Sequence, residues 1–168
     1  MSPLHHGRAS LASHQETQDF GRALATVLRA GDLVILSGDL GAGKTTLTQG
    51  IGAGLGVRGP ITSPTFVIAR VHPSLDRGPA LVHVDAYRLG SLAELDDMDL
   101  DTDIGASVTV VEWGAGLAEE LTDSHLLLHL QADPRSDERL VTLTVSGPRW
   151  AAPVTRAVLA ALLDDEGM

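Results

Sequence analysis

Cysteine is absent from all 168 residues. Disulfides, thiolate catalysis and cysteine-based zinc sites are excluded with it. Long apolar runs are missing too: none reaches the roughly 18 residues of a membrane span. The opening residues, MSPLHHGRAS, lack the apolar core of a signal peptide. A cytoplasmic protein with no membrane contact is therefore the expectation. Positive charge is scarce, with 12 Lys and Arg against 22 Asp and Glu and a formal net charge of −10. Such a chain is not expected to grip nucleic acid or an anionic membrane by itself, because both need clustered positive charge. Scarcest of all is lysine. Lys44 stands alone, and the other eleven basic side chains are arginines. If that scarcity reflects a coding bias, a surviving lysine marks a place where arginine will not serve.

What is present reads as a globular chain, 43% hydrophobic and 20% charged. It is long enough to bury a core. Neither an internal repeat nor a linker breaks it, so one domain over 1–168 is expected, with 1–10 a disordered tail. Ser13 with Glu16 three residues later, then Phe20, Leu24, Val27 and Leu28 at helical spacing, predict a helix over 13–30 closed by Gly31. LVILS (33–37) is a short apolar run of the kind a buried parallel strand has. A glycine-rich turn and a helix from Gly43 to Leu55 follow. TFVIARV (65–71) and ALVHVDA (80–86) read as strands able to form a hairpin across HPSLDRGP. SLAELDDM (91–98) reads as a helix. SVTVVEW (107–113), SHLLLHLQ (124–131) and RLVTLTVSG (139–147) read as strands, and APVTRAVLAALLDD as a closing helix. The class is α/β.

In that setting Lys44 acquires a reason. Gly38, Asp39, Leu40, Gly41, Ala42, Gly43, Lys44 and Thr45 fit G-x-x-x-x-G-K-[ST], between a strand and a helix. Glycines let successive backbone N–H groups turn inward on phosphate oxygens. The helix adds its free N–H groups and positive dipole end. Lysine brings a compact ammonium to the β- and γ-phosphates, where the broad guanidinium fork fits less well. Thr45 offers a hydroxyl to Mg²⁺. Such a loop needs an acid to complete the metal site. Two strands end in one, at Asp85 and Glu112, and the carboxyl end of a parallel strand lies beside the phosphate crevice. Either can hold Mg²⁺ directly or through water. Pro64 and Thr65 in SPTFVIAR, and Trp113 directly after Glu112, are less decisive. Thr65 has a hydroxyl able to sense a γ-phosphate, and Trp113 has a ring able to stack on a base, yet each is also an ordinary strand-end residue.

GDLGAGKTT, SPTF, HVDAYRL and VEW occur in that order. In this the chain resembles the TsaE family, small P-loop ATPases of tRNA threonylcarbamoyladenosine synthesis, from ETQDFGRALA to about residue 145. The resemblance implies a three-layer P-loop NTPase-like fold, with a mostly parallel central sheet and an added antiparallel hairpin. It implies binding of ATP and ADP with Mg²⁺, slow ATP hydrolysis, and cooperation with two partner proteins that transfer the threonylcarbamoyl group to A37 of tRNAs reading codons that begin with A. Contact with tRNA is then indirect. Carried over residue by residue, Gly38 to Thr46 resemble the phosphate loop, and Thr45 and Glu112 the magnesium ligands. Asp85 resembles the acid that positions magnesium or the attacking water. Thr65 falls in a segment like a first switch, Asp85 to Arg88 in one like a second, and Trp113 resembles the tryptophan beside the site. His14 to Thr17 and Arg139 are further candidates for nucleotide contact.

Aspartates at 97, 99, 101 and 103 invite a calcium-loop reading, but Thr102 stands where glycine is needed and Val108 where glutamate is needed. A solvated acidic face able to meet a partner fits better. The seven histidines show no spacing that calls for a metal site. Two other function classes share the loop motif. A small-molecule kinase needs an acceptor pocket and an arginine-rich lid, while the arginines here are scattered. A nucleotide-dependent switch would act by binding rather than turnover.

Overall fold

The computed structural model describes residues 5–39, 41–62, 69–86, 105–113, 118–120 and 122–164. Seven strands form one sheet in the order β1-β7-β6-β2-β5-β4-β3. They are β1 (His5–Leu11), β2 (Leu33–Ser37), β3 (Ala69–His72), β4 (Ala80–Asp85), β5 (Ser107–Glu112), β6 (His125–Ala132) and β7 (Arg139–Ser146). The centre, β6-β2-β5-β4, is parallel throughout. β7 runs antiparallel to β6, β1 antiparallel to β7, and β3 antiparallel to β4. Five strands therefore share one direction, and the β3–β4 hairpin is the antiparallel addition that the sequence suggests.

Among the described residues three helices accompany the sheet: α1 (His14–Leu24), α2 (Lys44–Leu55) and α3 (Pro153–Ala161). Phe20, Leu24, Leu47, Ile51 and Leu159 from these helices join Val34, Leu36, Val110, Leu128 and Val141 from the strands in one core. The opposite face of the sheet has its own buried set, Leu33, Ile35, Val82, Val84 and Val111, with Ala118 among them. Both faces of β2 and β5 are thus buried, which is why Leu33–Leu36 is an unbroken apolar run and why even Ser107, Thr109 and Glu112 of β5 are buried. The architecture is α/β and P-loop NTPase-like.

Two expectations need correction. Residues 5–10 are not a disordered tail. They lie in β1, paired along β7 from His5↔Val145 to Leu11↔Arg139. Ala9 and Leu11 are buried in the core. The outer edge of the strand is tied to the C-terminus, where Asp164 N donates to Arg8 O at 2.7 Å and its Oδ2 accepts from Ser10 N at 2.9 Å. Those partners lie at the far end of the chain, from Arg139 onward, so local sequence has no signal for the strand. The first helix also stops earlier than expected, at Leu24 rather than near Gly31. Thr26, Val27 and Leu28 donate their N–H groups three residues back instead of four, and the Thr26 hydroxyl takes Ala23 O at 2.7 Å. A tight 3-10 turn of this kind is a common helix ending. The start is as expected. Ser13 Oγ accepts from Glu16 N at 3.1 Å, and Glu16 Oε2 accepts from Ala12 N at 2.5 Å, one residue before the cap, a variant of the capping box. The helix expected over 91–98 lies outside the described residues.

Candidate functional site

β2 delivers the chain from the buried centre of the sheet into the glycine turn, and α2 leaves it at Lys44. Gly38 has φ +138, and a Cβ there would overlap the carbonyl oxygen of Leu130 on β6, so no other residue fits. Among the described residues no side chain caps α2. Its first-turn N–H groups therefore face the loop, as anion binding requires.

Lys44 folds back across the loop. Its Nζ donates to Gly38 O and Asp39 O, both at 2.8 Å, and sits 4.0 Å from the centroid of the Trp113 ring. The side chain is buried, and burial lowers its pKa from the ordinary 10.5, while the charges of Glu112, Asp39 and Asp85 act in the opposite sense. A slender ammonium stem fits between two carbonyls and an aromatic face. Trp113 reaches that position from a backbone at φ 62, in the left-handed region that bulky residues seldom adopt. Its N–H donates to Leu36 O at 2.9 Å, which holds the turn against β2.

The two strand-end acids meet as expected. Asp85 and Glu112 are register partners at the ends of β4 and β5, and Leu36 at the end of β2 is in register with Glu112. Alternation along the strands turns Asp85 and Glu112 toward the face that carries α2. Thr45 Oγ1, in the first turn of α2, lies 3.4 Å from Glu112 Oε1. That is long for an O–H···O hydrogen bond. It is close to the ~3.0 Å expected between neighbouring oxygens around an octahedral Mg²⁺ with ligand distances of about 2.1 Å. A hydroxyl and a carboxylate, with a second carboxylate next door, form an all-oxygen donor set suited to a hard cation. The residues present fit magnesium.

Arg139 also arrives, from the start of β7. Its Nη2 donates to Gly41 O at 3.4 Å, and its guanidinium lies alongside Gly43. The N-terminal end of α1 is on the same side, because Leu11 is the register partner of Arg139. There His14 Nε2 meets Asp137 at 3.5 Å, and the buried Thr17 hydroxyl donates to Ser13 O. Leu40, Thr65, Tyr87 and Arg88 lie outside the described residues. One residue was missed by sequence reasoning. His83, passed over as one of several strand histidines, contacts Glu112 directly, with Nε2 2.5 Å from Oε2. The signal was its place two residues before Asp85 on one strand, which puts both side chains on the same face.

Fold and site together define a P-loop nucleotide-binding class of protein. A model of the family described as "Threonylcarbamoyl adenosine biosynthesis protein TsaE" matches residues 11–141. The chain belongs to the TsaE family. It is 62% identical over 138 residues to a Streptomyces coelicolor protein named tRNA threonylcarbamoyladenosine biosynthesis protein TsaE, covering 80% of this chain and 93% of that one. Proteins of the same name from Mycobacterium bovis and Bacillus subtilis are 51% and 36% identical, over 81% of this chain and 85% and 84% of theirs. A solved structure titled "Crystal structure of Bacillus subtilus YdiB" superposes with a TM-score of 0.70 at 29% identity, covering 94% of each chain.

Proposed function

We propose that this protein binds ATP with Mg²⁺, hydrolyses it slowly, and acts with two partner proteins in forming threonylcarbamoyladenosine at position 37 of tRNAs that read codons beginning with A. The observation that carries the reading is the arrangement at the loop. The only lysine of the chain lies in a glycine cradle at a helix N-terminus, beside a hydroxyl and two carboxylates, in a chain of the TsaE family. Gly38 to Thr46 hold the phosphates through backbone N–H groups. Lys44 leaves its two carbonyl partners to meet the β- and γ-phosphates, and Arg139 closes the loop from the β7 side. Thr45 and Glu112 hold the magnesium, which when bound offsets charge on the phosphate oxygens. Asp85 would position the magnesium or the attacking water. Trp113 walls the lysine and excludes solvent from its far side. Thr65 senses the γ-phosphate.

The net charge of −10 argues that tRNA is held by the other subunits. The deciding experiment measures ATP loss by the protein alone, with the two partners, and with partners plus tRNA. Slow loss that the partners raise supports the reading. Rapid turnover that needs only an added metabolite would make it a small-molecule kinase instead.

A further inference from the structure

The face of β4 that looks toward α2 reads Leu81, His83, Asp85. On β5 the same face reads Val108, Val110, Glu112. Aliphatic side chains occupy the inner part of this row, and all are fully buried. A histidine among them is the exception, and it is 0% exposed. A buried polar ring is costly unless it is hydrogen-bonded, and its partner is Glu112, itself only 4% exposed.

The chemistry of the pair fixes its direction. A carboxylate only accepts, so Nε2 carries the proton and donates to Oε2. Nδ1 is buried and has no hydrogen-bond partner among the described residues, which suits a bare lone pair better than an N–H. One oxygen of Glu112 is thereby anchored, and the other, Oε1, is left facing the Thr45 hydroxyl at 3.4 Å. A glutamate has three side-chain torsions, and the donor from His83 removes that freedom on the side away from the loop.

We propose that His83 is a positioning residue, whose Nε2–H holds Glu112 so that Oε1 and Thr45 Oγ1 converge on one point, prearranging two oxygen ligands for a divalent cation. The inference rests on the reading of Glu112 as a magnesium ligand given above. It assigns to the histidine of HVD a part in metal binding that its place in an apolar row does not suggest.

The test measures ADP affinity by calorimetry across a Mg²⁺ titration in the wild-type protein, His83→Leu and His83→Gln. In His83→Leu the Mg²⁺ concentration giving half the effect should rise about 10–100-fold, the usual loss when a partner behind a metal ligand is removed. Mg²⁺-free ADP affinity should not change. His83→Gln, whose amide N–H reaches about where Nε2 did, should restore most of the Mg²⁺ response. A folded His83→Leu protein with the wild-type Mg²⁺ response would overturn the proposal. If His83→Leu does not fold, His83→Asn takes its place, with an amide too short to reach Oε2, and equal Mg²⁺ responses in Asn and Gln variants would be equally fatal. A second readout is independent of nucleotide. In a crystal structure of the ligand-free leucine or asparagine variant, the Glu112 carboxylate should turn away from Thr45, and an unmoved carboxylate would overturn the proposal. Should wild-type ADP affinity not respond to Mg²⁺ at all, it is the nucleotide–magnesium reading that fails, and the crystal structure still decides the role of His83.

Discussion

At the scale of single residues, Lys44 shows how much a position can demand. Its ammonium satisfies two carbonyls and an aromatic face at once. A guanidinium is wider, flatter and cannot enter the same slot without displacing Trp113 or the Gly38–Asp39 backbone. Lys44→Ala is expected to weaken ADP and ATP binding by on the order of tenfold or more, a loss of about 1.4 kcal/mol or greater. Lys44→Arg should restore charge without restoring turnover, and an active Lys44→Arg enzyme would show that charge alone selected the lysine. The two acids separate by the same logic. Glu112→Gln takes a negative charge from the proposed magnesium site and should lower Mg²⁺-dependent hydrolysis by on the order of 100-fold. Asp85→Asn should also slow turnover but leave Mg²⁺-free ADP binding nearly intact. Normal hydrolysis in Glu112→Gln beside a dead Asp85→Asn would reverse the two assignments.

Elements are held together by close approach and by a largely buried Arg149–Asp32 ion pair. α1 crosses α2 so tightly that a Cβ at Gly50 would overlap the Gln18 carbonyl oxygen, and one at Gly21 would overlap that of Leu47. Both obstacles are backbone and cannot move as a side chain would. Gly50→Ala is therefore expected to destabilise the fold by about 1–3 kcal/mol through overpacking, measured by denaturant unfolding, rather than to stabilise α2 as helix propensity suggests. At the other end of the molecule Arg149 forks onto Asp32, Nε to Oδ1 at 2.9 Å and Nη2 to Oδ2 at 3.0 Å, and Nη2 also takes Val27 O at 2.7 Å. This clamps the turn after α1 to the start of β2, the strand that carries the phosphate loop. Removing Asp32 leaves a largely buried guanidinium without its counter-charge, held among the described residues only by the Val27 carbonyl and the Trp150 ring. Asp32→Ala should cost about 3–5 kcal/mol in the same measurement. A loss within experimental error would mean that the pair is solvated in solution.

At the scale of the whole molecule, charge and burial make two further statements. His72 and His125 both have pKa values lowered from the ordinary 6.5, in each case chiefly by burial, so the fold holds them neutral. Below pH 6.5 the unfolded chain takes up protons that the folded chain resists, so stability falls as pH falls through that range. Tm followed from pH 7.5 downward should decline, and the decline should flatten in a His72→Asn, His125→Leu double variant. An unchanged slope would place the acid sensitivity elsewhere. The net charge of −10 should also keep the isolated protein off tRNA at moderate salt in a mobility-shift assay. Tight, salt-sensitive binding by the protein alone would contradict the division of labour proposed above. The acidic run from Glu94 to Asp103, expected to face a partner, lies outside the described residues.

What the chain determined by itself is whatever a short window dictates. The glycine spacing before Lys44, the cap at Ser13, the apolar run buried on both faces as β2, and the acids at two strand ends are all local patterns with a local cause. The loop motif and the family were legible for that reason. Tertiary structure decided what depends on distant partners. β1 exists because an edge of β7, far along the chain, was free to pair with it. Trp113 takes a left-handed backbone because β2 holds its N–H. Arg139 matters to Gly41 across nearly a hundred residues. His83 looked like any buried strand residue until β5 laid Glu112 against it. Hydrogen bonds between groups remote in sequence leave no periodicity behind them, and packing alone brings such groups within reach.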